Sequence, residues 1–236
     1  MNKIDQNKII KTLLASKARI LKFLQKIIID NQFDYKTFGT AIEDFLLEEI
    51  INILREKKII KNENDYSRAE NKNKFPDLKI IKPALLALEL KSGNHSRKKG
   101  NRWMICKNSN NDLGTLNSWD KKIKEFGGEN IFYIFIEYNF NTSKNIVDIK
   151  IAPFYSFLAL NKDKLLRYRE KDGNLRPKDF DKPSLIRSYK DFEKLFSKTV
   201  IYRSGRIIKK HLKYIPANER KEFLKELGRT LNTAIK

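Results

Sequence analysis

Cysteine and histidine are scarce in this chain of 236 residues, which contains one cysteine and two histidines. Cys106 alone cannot form an internal disulfide, and His95 and His211 add too few ligands for a structural zinc site. No uncharged apolar run approaches the roughly 20 residues that a membrane span requires. Lysines interrupt the apolar residues near the N-terminus, which argues against a signal peptide. We therefore expect a cytoplasmic protein without membrane segments or structural zinc.

Several motifs that support other chemistries are also missing. The sequence has no internal repeat, no glycine-rich phosphate loop, no nucleophile elbow and no helix-turn-helix pattern. Any catalysis by this chain must therefore come from its carboxylates.

Positive charge is abundant, because 50 Lys and Arg residues against 29 Asp and Glu residues leave a formal net charge of +21. A polyanion is the natural partner of such a chain, since nucleic-acid affinity comes largely from neutralised phosphates and released counterions. Two other interpretations stay open: lysines on a solvated surface, enriched by an A/T-rich genome, and binding to a membrane surface. The large excess over acidic residues favours a nucleic acid.

Hydrophobic periodicity predicts an α/β protein, because strand, helix and strand alternate in its central part. The polar segments 62–74 and 92–112 show no hydrophobic period and are predicted to be loops. The C-terminal third is predicted to alternate basic loops with short helices. Helices are predicted at 4–29, 38–57, 113–126, 153–160, 191–197 and 216–227, and strands at 77–80, 85–91, 131–138 and 146–152.

Charged residues mark the ends of two strands that are predicted to form a hairpin. Pro76 favours an extended chain into the first strand at Asp77, and the second strand ends in Glu89, Leu90 and Lys91. Because side chains alternate along a strand, Glu89 and Lys91 should be neighbours on one face. Taken singly, Asp77 could be a turn residue, and Glu89 with Lys91 an exposed ion pair. Together they favour a functional site.

Pro76-Asp77 followed by Glu89-Leu90-Lys91 resembles the signature of the PD-(D/E)XK nuclease superfamily, which includes most type II restriction endonucleases and several repair nucleases. The match covers sixteen residues, 76 to 91. A helix that carries Glu43 precedes both strands, in the order found in the superfamily. The resemblance implies a restriction-endonuclease-like core, in which helices flank a mixed central β-sheet, with an N-terminal helical segment.

The resemblance also implies phosphodiester hydrolysis with one or two Mg²⁺ ions per site. Asp77, Glu89 and the backbone carbonyl of Leu90 would hold the metal, since Mg²⁺ prefers oxygen ligands. Lys91 would orient the attacking water, help to deprotonate it and compensate charge on the phosphate. Glu43 would support these ligands or hold a second metal, unless it simply faces solvent as other acids of its helix could.

Two basic segments are predicted to contact DNA. Arg and Asn can form paired hydrogen bonds with base edges, while Lys and Ser contact phosphates. The alternative is that both segments are merely solvated. The predicted contact residues are Asn94, Ser96, Arg97, Lys98, Lys99, Asn101, Arg102, Arg203 and Arg206.

We expect a type II restriction endonuclease from the bacterial cytoplasm. The expected enzyme is a homodimer that cuts both strands of a palindromic DNA site, accompanied by a cognate DNA methyltransferase. Residues 1–236 are expected to form one nuclease domain, with a helix at 1–30 for a dimer contact, a catalytic core at 38–160 and a basic region at 161–236. Two alternatives remain: a structure- or mismatch-directed repair nuclease or resolvase of the same superfamily, and a non-catalytic basic DNA-binding protein.

Overall fold

The structure, a computed structural model, consists of two compact units, Met1–Phe192 and Glu193–Lys236. No helix in the described part of the chain is both long and apolar enough to cross a membrane. The described residues are 3–33, 37–71, 74–94, 97–99, 102–104, 112–139, 144–178 and 182–234.

A five-stranded sheet lies at the centre of the first unit, in the strand order β1, β2, β3, β6, β7. β3 and β6 are parallel, and the other neighbours are antiparallel, so the sheet is mixed as predicted. The strands β4 and β5 form a separate antiparallel pair. The strand bounds are β1 (Tyr66–Arg68), β2 (Leu78–Ile80), β3 (Leu86–Asn94), β4 (Arg97–Lys99), β5 (Arg102–Met104), β6 (Ile131–Asn139) and β7 (Asn145–Pro153).

Three N-terminal helices cover one face of this sheet. α3 packs over β3 and α2 over β7, so that their apolar faces bury the alternating leucines and isoleucines of the strands. The predicted N-terminal helix is in fact two helices, because a turn at Ser16 separates α1 from α2. The helix bounds are α1 (Lys3–Ala15), α2 (Lys17–Asp30), α3 (Phe38–Glu56), α4 (Leu116–Phe126), α5 (Tyr189–His211) and α6 (Arg220–Ala234).

The helix α4 connects β3 to β6 and brings aromatic residues into the core. Trp119 of α4 is fully buried and stacks on Phe154, with 4.1 Å between the ring centroids. The same indole lies 6.2 Å from the ring of Tyr133 on β6. α4 therefore packs against Tyr133, whose side chain shares a face of the sheet with Glu89 and Lys91.

Two local sequence features, a capping threonine and a glycine, explain where α4 begins and ends. Thr115 accepts a hydrogen bond from the Ser118 N–H at 3.1 Å, so it caps the helix and delays its start to Leu116. Gly127 follows the last turn with φ of 75°, a conformation that favours glycine. The predicted glycine C-cap is confirmed.

Two predicted loops contain strands. The first includes β1, a short edge strand whose Ser67 and Arg68 are exposed, so no apolar alternation marked it. The second includes the end of β3 at Asn94 and the β4–β5 pair, whose sequences Arg-Lys-Lys and Arg-Trp-Met are mostly basic. Backbone pairing forms these strands despite their polar composition.

The C-terminal prediction was wrong in its helix lengths. α5 continues to His211, so the basic segment around Arg203 and Arg206 is helical and not a loop. Lys and Arg have good helix propensity, which explains why the helix persists through this segment. α6 begins at Arg220 rather than at Pro216, and the helix expected after Pro153 is only a turn of 3₁₀ helix at Phe154–Phe157.

Candidate active site

The β2–β3 hairpin brings Asp77 to the end of β3. Leu78 pairs with Leu88, so Asp77, which directly precedes β2, lies beside the residues that follow Leu88. The Leu90 N–H donates a hydrogen bond to Asp77 Oδ2 at 2.7 Å. The carboxylate therefore occupies the point at which the β2–β3 backbone pairing ends.

Glu89 and Lys91 project from the same face of β3, as predicted. The ammonium Nζ of Lys91 lies 2.7 Å from Glu89 Oε1. Glu89 is only 7% exposed, and its second oxygen, Oε2, is buried without a hydrogen-bond partner among the described residues. Because a buried, unsatisfied carboxylate oxygen is costly, Oε2 of Glu89 can accept a cation or a hydrogen-bond donor beyond those that the described residues provide.

Glu43 reaches the same site from α3. Its side chain lines a cavity of about 180 Å³ together with residues from α3 and from the hairpin. The Ser92 hydroxyl donates to the Gly39 carbonyl at 3.2 Å, which fixes the first turn of α3 against β3. The cavity is lined by Thr40, Glu43, Asp44, Leu47, Asp77, Leu90 and Lys91.

Three carboxyl groups, those of Glu43, Asp77 and Glu89, surround the single ammonium group of Lys91. Burial, with a smaller contribution from neighbouring acids, raises the pKa of Glu43 to about 7 and that of Asp77 to about 6. Burial alone would lower the pKa of Lys91, but attraction to Glu89, Asp77 and Glu43 outweighs it and raises the pKa. Lys91 therefore keeps its proton at neutral pH, within an excess of negative charge.

The donor set of this site fits Mg²⁺. The N–H and C=O of an extended residue point to the same edge of a strand, so the Leu90 carbonyl faces the edge where Asp77 lies. With Asp77 and Glu89 it offers hard oxygen ligands. The described residues contain no group of three or more His, Cys, Asp or Glu side chains placed to hold a metal. Mg²⁺ requires fewer, since it is commonly held by one or two carboxylates, waters and substrate phosphates.

Comparisons with known proteins identify the fold. No family model matches the sequence, and no curated protein matches it. Among solved structures, the chain is similar to NlaIV restriction endonuclease, with a TM-score of 0.51 and 17% sequence identity, over 73% of this chain and 67% of that chain. The fold is restriction-endonuclease-like. The predicted α/β class, with a mixed sheet between helices and an N-terminal helical segment, is confirmed.

The predicted DNA-contacting residues fall into three groups. Ser96 and Asn101 lie outside the described residues. Arg203 and Arg206 lie on α5, in the second unit. For the remaining five the structure describes only the backbone, which belongs to β3, β4 and β5: Asn94, Arg97, Lys98, Lys99 and Arg102.

Sequence reasoning missed Lys122, a partly buried lysine of the crossover helix α4. Its Nζ lies 3.8 Å from the ring centroid of Phe75 and 4.9 Å from that of Trp119. Burial lowers the pKa of Lys122 to about 8, against the attraction of Glu89. No motif marks this lysine, and the only signal in the sequence is its position one turn after Trp119 on an amphipathic helix.

Proposed function

We propose that this chain is a Mg²⁺-dependent deoxyribonuclease of the PD-(D/E)XK superfamily, which hydrolyses phosphodiester bonds in double-stranded DNA. The observation that carries the proposal is the convergence of Asp77, Glu89, Lys91 and Glu43 at the end of one hairpin, in a restriction-endonuclease-like fold. These residue types serve phosphodiester hydrolysis, because the negative phosphodiester repels hydroxide and further negative charge develops on its oxygen atoms during the reaction. A metal ion held by the carboxylates, together with an ammonium group, would stabilise that charge.

Asp77, Glu89 and the Leu90 carbonyl would hold one Mg²⁺ ion or two. When bound, the metal supplies positive charge to the phosphate oxygens and favours hydroxide over water. The cost of burying the Glu89 Oε2 atom and of ionising Asp77 would then be offset by the ligand for which they are arranged.

Lys91 would act as a positioning cation for the attacking water. Its ammonium is fixed by Glu89 at 2.7 Å and keeps its proton, because the surrounding carboxylates raise its pKa. It can therefore donate hydrogen bonds to the water and to a phosphate oxygen, which compensates charge in the transition state. Help in deprotonating the water, the second role that the resemblance implies, requires first that a bound cation lower this pKa.

Glu43 lines the same cavity as Asp77 and Lys91. With a pKa raised to about 7, its carboxyl group exchanges protons close to neutral pH. It would accept hydrogen bonds from ordered water in the cavity or contribute to a second metal ion.

The substrate and the biological role are parts of the same proposal. The net charge of +21 favours duplex DNA, with phosphate and base contacts from the β4–β5 pair and from Arg203 and Arg206. We infer a type II restriction endonuclease that cuts at a specific palindromic site as a homodimer, with the dimer contact from the N-terminal helices. A cognate DNA methyltransferase would protect the host DNA.

Digestion of a long DNA of mixed sequence with Mg²⁺, followed by sequencing of the fragment ends, tests this function. We expect discrete fragments whose ends share one short palindromic sequence. Cutting confined to junctions or mismatches would contradict restriction and identify a repair nuclease or resolvase. Absence of cleavage with Mg²⁺ or Mn²⁺ at every DNA sequence and junction would overturn nuclease activity and leave a DNA-binding protein.

A further inference from the structure

Lys122 differs from Lys91 and Lys79 in having no anionic partner among the described residues. Lys91 is paired with Glu89 at 2.7 Å, and Lys79 with Glu125 at 3.1 Å. Lys122 makes no hydrogen bond and no ion pair with any residue that the structure describes. Its ammonium group therefore keeps three N–H donors available for a ligand.

Two aromatic rings hold this ammonium group in place. The Nζ of Lys122 lies 3.8 Å from the centroid of Phe75 and 4.9 Å from that of Trp119, both within the range of cation–π attraction. Trp119 is fixed in the aromatic core, and Phe75 precedes Pro76 and the site residue Asp77. Contact with these rings restricts the lysine side chain before binding, which reduces the conformational entropy that it loses when it binds a ligand.

The position of Lys122 relates it to the carboxylates of the active site. The Phe75 ring that it contacts belongs to the residue two positions before Asp77. The Trp119 ring that it contacts lies 6.2 Å from the ring of Tyr133, and Tyr133 pairs with Glu89 in the register of β3 and β6. Lys122 approaches from α4, whereas Glu43 approaches from α3, so the two lie on different sides of the β3 end. The ammonium group of Lys122 would therefore lie close to a phosphate bound to a metal ion that Asp77 and Glu89 hold.

We propose that Lys122 binds a phosphate of the cleaved DNA strand beside Asp77 and Glu89, as a second cation with a role distinct from that of Lys91. This inference rests on the proposed nuclease function. The contact would be purely electrostatic and independent of sequence, because an ammonium group binds phosphate as a point charge. The competing explanation is that Lys122 only packs between two rings.

The test measures DNA affinity at several salt concentrations with Ca²⁺ in place of Mg²⁺, for wild type, Lys122→Met, Lys122→Arg and Lys121→Met. Methionine keeps the apolar length between the rings, and Lys121 is the exposed neighbour on α4. Loss of one phosphate contact lowers the slope of log affinity against log salt by about 1. We expect this loss, and binding about tenfold weaker at 0.1 M salt, for Lys122→Met alone, with Lys122→Arg close to wild type.

An unchanged slope for Lys122→Met would overturn the inference, and so would an equal loss for Lys121→Met. A changed Mg²⁺ requirement without a changed slope would also overturn it, since Lys122 would then only position the carboxylates. Acetylation of wild-type lysines with and without DNA gives a second measurement that needs no variant. Bound DNA should protect Lys122 more than Lys121, and equal protection would contradict the contact.

The two proposals fail separately. If wild type binds DNA and Lys122→Met lowers the slope, but no DNA is cleaved with Mg²⁺, only the nuclease function is wrong. If wild type cleaves DNA and the slope is unaffected by Lys122→Met, only the phosphate contact is wrong.

Discussion

Two buried Glu–Lys pairs in the same sheet differ in the charges that surround them. In the site cluster, defined as Glu43, Asp77, Glu89 and Lys91, the Glu89–Lys91 pair lies 2.7 Å apart along β3. In the edge cluster, defined as Lys17, Glu137, Asp148 and Lys150, the Glu137–Lys150 pair also lies 2.7 Å apart and joins β6 to β7. Sequence pattern and burial alone do not separate them, since both glutamates are less than a tenth exposed.

The balance of charge does separate them. In the edge cluster, Lys17 lies 2.6 Å and Lys150 3.3 Å from Asp148, so two acids face two bases. Burial would raise the pKa of Asp148, but hydrogen bonds from Lys17, the Ile149 N–H and Lys150 outweigh it and lower the pKa. In the site cluster, burial and mutual repulsion raise the pKa of two acids. The edge cluster, in which acids and bases are equal in number, is suited to stabilising the fold. The site cluster, in which acids are in excess, is suited to binding a cation.

The largest expected effect is on cleavage. Lys91→Ala should reduce Mg²⁺-dependent DNA cleavage by about 10²- to 10³-fold, because the substitution removes the charge that we propose stabilises the transition state. DNA binding in Ca²⁺ should remain. Lys150→Ala should leave the cleavage rate per folded molecule unchanged. Single-turnover cleavage rates measure both, and an equal loss in the two variants would mean that the clusters do not differ in role.

Glu43→Gln should stabilise the metal-free protein in alkaline solution. Since the folded-state pKa of Glu43 is raised from 4.5 to about 7, its favourable protonation is fully present below pH 4.5 and is lost as the pH rises through 7. At about 1.4 kcal/mol per pKa unit, ionised Glu43 costs roughly 3 kcal/mol at pH 8.

Urea unfolding of wild type and Glu43→Gln with EDTA, at pH 5 and pH 8, measures this difference. The variant should gain stability relative to wild type only at the higher pH, and Mg²⁺ should reduce the gap by stabilising wild type. A gap that is independent of pH would contradict the raised pKa.

Neutralising the two buried glutamates should affect the free energy of unfolding differently. Glu137→Gln should lower the free energy of unfolding by about 1 to 2 kcal/mol, because Lys150, which is itself partly buried, loses its buried partner. Glu89→Gln should leave it unchanged or raise it without metal, because the substitution relieves an excess of negative charge. Denaturant titration in EDTA is the measurement, and destabilisation of both variants by the same amount would remove the contrast.

The smallest effect is expected at the rim of the edge cluster. Lys17→Ala should cost less than about 1 kcal/mol, because the lysine side chain is 37% exposed and its ion pair with Asp148 is screened by solvent. The cost should shrink further in 1 M salt. A loss that is large and insensitive to salt would show that Lys17 stabilises α2 through its aliphatic stem instead.

The part of the site that could be predicted from the sequence is local. Asp77, Glu89 and Lys91 stand on one hairpin, where strand alternation and the turn at Pro83 fix their mutual placement. A role for Glu43 could be suggested only from the resemblance of the sequence to a family pattern. Glu43 reaches the cavity through the packing of α3 on β3, which the sequence does not encode locally.

Features that depend on distant packing or on backbone pairing were not predictable. Lys122 is brought near Glu89 by the crossover between β3 and β6, which no short spacing encodes. The strands β1, β4 and β5 carry polar or basic residues, so neither alternation nor an apolar run marks them. Charge matching at the edge cluster likewise requires the register of β6 on β7 and the position of α2.

The parallel pairing of β3 with β6 has a consequence for folding order. A parallel pair must close the long crossover through α4 before its contacts compensate for the lost chain entropy, so this pairing should form late. The hairpin with Asp77 and Glu89 is a local structure and can form early, but β6 is what holds its second strand in the sheet. We therefore expect cleavage competence to arise only with the last cooperative step of folding, so that incomplete nascent chains cut no DNA.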